Sequence, residues 1–217
     1  MRGGSFVPRV VGFVARHPSL SRILFNRVFK TDKAPREHNS LLEEAVRTVR
    51  PGKALDVTLG QGRNAVFLVL RGWDVTGFDV SEEALSRARE TARRSGVSIH
   101  AVQSTSEAFD YGVDRWDLLL LSYAWVPVSD PAFAARLRQC LRNGGLVVLE
   151  HFLHDGPESA PKAAGTPDPG ELPTLFAGFE ILRYEEITAV PDWEPPFRGG
   201  ALPRLARMIA RKPAGGQ

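Results

Sequence analysis

Three short segments in immediate succession constrain this chain more than any other feature. Lys53–Thr58 (KALDVT) reads as a short apolar strand, Gly60-Gln61-Gly62 as a glycine turn, and Asn64–Leu70 (NAVFLVL) as an apolar helix stopped at Gly72. The pattern then repeats. Trp73–Phe78 is a second strand ending at Asp79. Ser81–Ser95 is an amphipathic helix with Ser81 as N-cap, acids in its first turn and Gly96 as its stop. Val97–Gln103 and Trp116–Leu121 are further strands; the unbroken apolar run of the latter suits a central strand buried on both faces. Pro131–Leu141 is a helix, Asn143-Gly144-Gly145 a turn, and Leu146–Glu150 a fifth strand. Alternating strands and helices predict a parallel sheet with helices on both faces.

The flanks differ. Residues 6–15 and 19–29 carry apolar positions at helical spacing, and 39–49 is a third helix capped by Asn39. Residues 155–171 read as a loop, followed by a short helix at Leu172–Phe176. Phe179–Thr188 and Leu205–Lys212 read as two more strands, joined by a Pro-rich link, Ala189–Gly200, that carries Trp193. The expected organisation is an N-terminal helical appendage (1–36), one α/β domain (37–212) and a disordered tail (213–217).

With 217 residues and 43% hydrophobic composition, the chain can bury a core without staples, which excludes a disordered protein. The single cysteine, Cys140, excludes a disulfide framework. No stretch approaches the roughly 20 uncharged apolar residues of a membrane span. Arg9 and Arg16 interrupt the N-terminal apolar segment and no small-residue cleavage site follows, so no signal peptide and a cytoplasmic location are expected. Residues 1–36 hold eight Arg/Lys against one acid and residues 198–217 five against none, while the stretch between holds 15 bases and 24 acids. Such basic ends can meet nucleic acid, an anionic membrane surface or an acidic substrate, or serve as a solvated rim; the last is the reading adopted.

The glycine turn joins a strand to a helix N-terminus, where unpaired N–H groups and the positive dipole end face a ligand. Gly60-Gln61-Gly62-Arg63-Asn64-Ala65 fits the G-x-G-x-x-G/A fingerprint. Asp79, at the end of the second strand, is placed to accept hydrogen bonds from a ribose diol. Together they predict a bound nucleoside.

The set Ala54-Leu55-Asp56-Val57-Thr58-Leu59-Gly60-Gln61-Gly62-Arg63-Asn64, Gly72 to Asp79, Trp116-Asp117-Leu118-Leu119 and Leu141 to Leu146 resembles class I S-adenosylmethionine-dependent methyltransferases of the small-molecule type. The resemblance implies a Rossmann-like, mostly parallel seven-stranded sheet with an antiparallel edge hairpin at the C-terminus. It implies S-adenosylmethionine as cofactor and S-adenosylhomocysteine as product. No metal is expected, because His151 and His154 have no cysteine or further histidine near them in sequence to complete three or four ligands. Asp56 and the Gly60–Gly62 backbone would hold the methionine end, Asp79 the ribose and Val80 the adenine, with Leu121 and Ser122 beside the sulfonium. The N-terminal helices would form a lid over the site.

Two positions depart from the family pattern. Thr58 stands where glycine is usual, and threonine cannot take φ > 0 cheaply, so the loop is expected to shift or the hydroxyl to bond the cofactor. After the third strand, Gln103-Ser104-Thr105-Ser106 lacks the acid that accepts from the adenine amino group, leaving Ser104 or Thr105 to substitute.

Methyl transfer is an in-line displacement, so placement carries much of the catalysis, and a base is needed only for a protonated O, N or S nucleophile. His151 and Tyr123 are the catalytic candidates; Tyr123, Trp125 and His154 are the substrate candidates. Asn64 can cap the turn or touch the cofactor. The expected partner is a small molecule, not nucleic acid or a membrane, although the basic N-terminal helices leave a membrane surface as a rival. A monomer or homodimer is expected. The competing functions are a nicotinamide-nucleotide oxidoreductase, a nucleic-acid methyltransferase and a catalytically degenerate member.

Overall fold

The computed structural model describes residues 18–30, 37–154, 165–193 and 202–215. The expected helix over 6–15, most of the loop at 155–171 and the second half of the 189–200 link lie outside them. The elements are α1 (Pro18–Phe29), α2 (Ser40–Val46), β1 (Lys53–Val57), α3 (Arg63–Leu70), β2 (Asp74–Asp79), α4 (Glu82–Arg94) and β3 (His100–Gln103). They continue with β4 (Trp116–Ser122), α5 (Pro131–Cys140), β5 (Leu141–Phe152), α6 (Glu171–Leu175), β6 (Glu180–Thr188) and β7 (Arg204–Arg211).

The strands form one seven-stranded sheet in the order β3-β2-β1-β4-β5-β7-β6. The first five are parallel, and β7 runs antiparallel between β5 and β6. This is the Rossmann-like mixed sheet expected, with the topological switch beside β1 and β4. Side-chain alternation splits the core. Leu118 and Leu120 of β4 pack with α2, α3 and α4 on one face, and Leu119 and Leu121 pack with α5 on the other. The continuous apolar run of β4 therefore serves two cores at once.

The N-caps form as the sequence indicates: Asn39 accepts from the Leu42 N–H and Ser81 from the Ala84 N–H. Three elements differ in extent. α2 ends at Val46, not at residue 49, where the Arg47 and Val49 N–H groups bond three residues back, to Glu44 O and Val46 O. β3 starts at His100, not Val97, because the end of α4 uses the backbone there. Gly96 N donates to Arg93 O and Val97 N to Ala92 O, a Schellman stop that removes these groups from the sheet. β5 runs from Leu141 to Phe152, longer than expected at both ends. The Asn143–Gly145 turn is a bulge inside it, with Gly144 at φ 80 and its N–H donating to Lys212 O at 2.9 Å.

Candidate active site

The carboxyl ends of β1, β2 and β4 open into a cavity of about 1010 Å³, its open mouth included. Its floor is the turn after β1. Thr58 (φ 60), Gly60 (φ 55) and Gly62 (φ 77) are all left-handed. The expected loop shift at Thr58 does not occur: threonine itself takes the conformation glycine would favour, a strain of about 1–3 kcal/mol held by the fold around it. The following Leu59 N–H donates to Phe78 O at 2.8 Å, which fixes the turn on β2. A Cβ on Gly62 would stand 2.9 Å from Ala88 Cβ, so this glycine serves the packing of the turn on α4. One on Gly60 would meet the Phe29 ring at 3.6 Å. Phe29 belongs to α1, which lines the cavity with Ser21, Phe25 and Phe29 and is tied to α4 where Ser81 Oγ donates to Asn26 Oδ1 at 2.6 Å.

Two buried carboxyls face the cavity. Asp79 Oδ2 accepts from Gly60 N at 3.0 Å and Oδ1 from Ser81 N at 2.9 Å, so the acid also braces the glycine turn. Burial raises its pKa to about 6 against the pull of these hydrogen bonds. Asp56 is harder pressed. Its Oδ2 is buried and has no hydrogen-bond partner among the described residues. Desolvation first, opposed by the Arg63 charge and aided by Asp79, raises its pKa to about 8. A buried carboxyl with an unfilled oxygen suits a cationic ligand group. Ser122 Oγ and Gln61 Nε2, on the same cavity, are likewise buried and unpartnered among the described residues.

The far end of the cavity is aromatic, walled by Tyr123, Trp125 and Trp193. Tyr123, at φ 54, turns out of the end of β4 and donates its hydroxyl to Glu150 Oε1 at 2.5 Å. Burial, then the Glu150 charge, pushes the phenol far above its ordinary range. Glu150 also accepts from Asn39 Nδ2 at 3.1 Å and lies 3.2 Å from Arg207 Nε. Asn39 Nδ2 reaches Asp192 Oδ2 at 2.6 Å, and Arg63 Nη2 reaches Asp192 Oδ1 at 2.8 Å. A continuous polar network thus runs behind the aromatic wall, its charges paired.

Of the residues singled out from the sequence, Asp56, Thr58, Gly60, Asn64, Asp79, Val80, Ser104, Thr105, Ser122, Tyr123 and Trp125 line this one cavity. Gly62 lies beneath the turn and Leu121 within the core. Asn64 caps nothing in its own helix; its Oδ1 accepts from Asn39 N at 2.8 Å. The two histidines lie elsewhere. His151 is a fully buried strand residue outside the cavity lining, with Nδ1 3.1 Å from Phe152 O and its ring edge-on to Trp125. Burial lowers its pKa to about 4, too weak a base for the role expected of it. His154 Nδ1 is 3.0 Å from Asp168 Oδ1 and does not line the cavity either.

The sequence reading missed the α1 residues as individual contacts, and it missed Trp193 and Glu107. Glu107 lines the cavity from the turn after β3, its Oε1 accepting from Ser106 Oγ at 2.9 Å. Its signal was an acid three residues beyond Ser104. Among the described residues no group of three or more His, Cys, Asp or Glu could hold a metal, and no helix is long and apolar enough to cross a membrane.

A doubly wound sheet with a glycine turn at its switch point and an acid at or near each of the first two strand ends has the geometry of a nucleoside-binding α/β fold. Comparison with known proteins sharpens this. A methyltransferase-domain family profile matches residues 54–145. The chain is 29% identical over 184 residues to Hemagglutinin 1 of Eikenella corrodens, covering 81% of this chain and 59% of that one. It is 27% identical over 177 residues to the Haemophilus influenzae protein described as "Probable S-adenosyl-L-methionine-dependent methyltransferase TehB", covering 78% and 60%. The chain thus spans about 60% of the length of these curated relatives. The crystal structure of Burkholderia thailandensis 1,6-didemethyltoxoflavin-N1-methyltransferase, with bound 1,6-didemethyltoxoflavin and S-adenosylhomocysteine, superposes with a TM-score of 0.65 at 23% identity, covering 98% of this chain and 93% of that one. Residues 54–145 thus match a methyltransferase domain, and 78% of the chain is similar to a probable S-adenosyl-L-methionine-dependent methyltransferase.

Proposed function

We propose that this protein transfers the methyl group of S-adenosylmethionine to an O, N or S atom of a small molecule. The observation that carries the reading is the pair of buried carboxyls, Asp56 and Asp79, flanking the left-handed turn in one cavity. The residues present fit the cofactor. Asp56, with its unfilled oxygen, receives an ammonium; Asp79 keeps lone pairs for a diol beyond the two N–H groups it already accepts. Glu107 supplies the acid that the end of β3 lacks. When bound, the cofactor supplies an activated methyl on a sulfonium.

The chain's own residues then position and enclose. Tyr123, Trp125 and Trp193 wall the acceptor end. Phe25 and Phe29 of α1 act as a lid that excludes water. The region 37–212 is the catalytic domain and 1–36 carries the lid. His151 takes no proton from the acceptor; its work is to pack behind Trp125. A small acceptor is favoured because aromatic side chains and paired charges wall this end. Isothermal titration with S-adenosylmethionine, S-adenosylhomocysteine and NADH tests the reading. Micromolar binding of the adenosyl ligands alone is expected; binding of NADH alone would overturn it.

A further inference from the structure

The segment that follows β6, residues 189–193, has no regular structure, yet it places Trp193 in the cavity wall. Its near end is held by one backbone bond, Ala189 N to Pro203 O at 3.2 Å, and Val190 is 73% exposed. Then three separate elements converge on Asp192. Arg63, the first residue of α3, donates from Nη2 to Oδ1 at 2.8 Å and from Nη1 to the backbone carbonyl at 3.4 Å. Asn39, the cap of α2, donates to Oδ2 at 2.6 Å. The Asp192 backbone also faces the Tyr123 hydroxyl at the end of β4 and favours its ionised form, though less than burial opposes it. The Arg63 and Asp192 side chains are only 12% and 24% exposed, so this pair is less screened by solvent than a surface ion pair.

We propose that Asp192 is a positioning residue for the acceptor wall: through Arg63, Asn39 and Tyr123 it sets where the Trp193 indole stands. Trp193 also packs against the apolar cluster of Tyr123, Phe152 and Leu205, its ring centroid 5.8 Å from that of Tyr123. Apolar contact of that kind draws the ring toward the wall but is not directional. Bonds to a carboxylate from two sides are directional and fix its register. The anchor has a further consequence. Arg63 begins the helix that follows the glycine turn and lines the same cavity, so one guanidinium braces the acceptor wall beside the cofactor end. The proposal rests on the acceptor-site reading given above, but its test does not.

The protein is labelled with 5-fluorotryptophan, giving four resonances for Trp73, Trp116, Trp125 and Trp193; the Trp193→Phe variant assigns the last. Asp192→Ala is expected to move the Trp193 resonance toward the solvent-exposed position and raise its solvent isotope shift, with Trp73 and Trp116 unmoved. Asp192→Glu, which keeps the charge, is expected to restore part of the wild-type shift. Arg63→Gln is expected to reproduce the displacement, and the double variant to move it no further, as for two residues acting as a unit. An unmoved Trp193 resonance in Asp192→Ala overturns the proposal. Movement of all four resonances together overturns it equally, since Asp192 would then support the whole fold. Titration of the same wild-type sample with S-adenosylhomocysteine separates the two readings. Failure to bind sinks the methyltransferase assignment and leaves the Trp193 result standing.

Discussion

Cofactor binding is expected to be linked to a proton at Asp56. Its pKa of about 8 in the ligand-free protein means that the carboxyl is neutral below that pH. A ligand ammonium needs the carboxylate, so binding must first remove the proton. At pH 7 about nine-tenths of the molecules are protonated there, and the apparent Kd is weakened about 11-fold, or roughly 1.4 kcal/mol. At pH 6 the factor is about 100, and at pH 8 about 2. Asp79, with its pKa raised to about 6, adds a further factor of about two at pH 6 if the diol also requires its carboxylate. The Kd for S-adenosylhomocysteine should therefore tighten about 50- to 100-fold from pH 6 to pH 8 and level off above. The assay is isothermal titration at several pH values, repeated at pH 7 in buffers of different ionisation enthalpy. Its slope should report about 0.9 proton released per ligand bound. A Kd independent of pH from 6 to 8, with no proton exchanged, would refute the reasoning, because Asp56 would then be ionised before the ligand arrives or untouched by it.

Three further outcomes follow from the same turn. Asp56→Asn should weaken adenosyl-ligand binding and remove its pH slope. It should also stabilise the fold increasingly from pH 5 to pH 8. The raised native pKa means that the folded state alone holds a proton between about pH 4 and 8, so wild-type stability falls by about 1.4 kcal/mol per pH unit there; thermal melts of both proteins at pH 5 and 8 check the divergence. Thr58→Gly should relieve left-handed strain of about 1–3 kcal/mol against about 0.5–1 kcal/mol of added freedom in the unfolded chain, a net gain centred near ~1 kcal/mol and a Tm rise of about 2–4 °C by calorimetry. Gly62→Ala should cost about 2 kcal/mol or more in denaturant unfolding, since its Cβ would meet Ala88 Cβ at 2.9 Å and Cα at 3.0 Å in a left-handed backbone.

Local chemistry made much of this molecule legible in the sequence. The double burial of Leu118–Leu121, the caps at Asn39 and Ser81 and the turn at Gly60–Gly62 are written within a few residues of where they act. Asp56 and Asp79 were readable because each sits at or near the end of a strand, and the carboxyl ends of parallel strands share one crevice. His151 was misjudged for one physical reason. The fifth strand was expected to end at Glu150, which would have put His151 in a loop at the cavity rim. Instead β5 continues to Phe152, because β7 pairs with it through His151↔Ala206 and Phe152↔Leu205. The imidazole is therefore held in the sheet, on the side of Trp125. Only the partner strand, more than 50 residues away, decides this.

The network around Asp192 was hidden for the same kind of reason, in a stronger form. Its bonds to Arg63 and Asn39 span sequence separations of 129 and 153 residues. No periodicity or motif signals such a bond, and the segment that carries it reads as a Pro-rich link. Yet the division has a logic. The cofactor end is built from contiguous sequence, because a strand, a turn and a helix N-terminus make a complete nucleoside cradle by themselves. The acceptor end is assembled from the tip of β4, the segment after β6, the cap of α2 and the first residue of α3, which only the closed sheet brings together. Changes at Trp125, Trp193 or Asp192 can therefore alter the acceptor wall without touching the turn. Arg63 is the exception, since it serves both ends. Its removal should disturb adenosyl-ligand binding and the Trp193 environment together, whereas Asp192→Ala should disturb the second far more than the first.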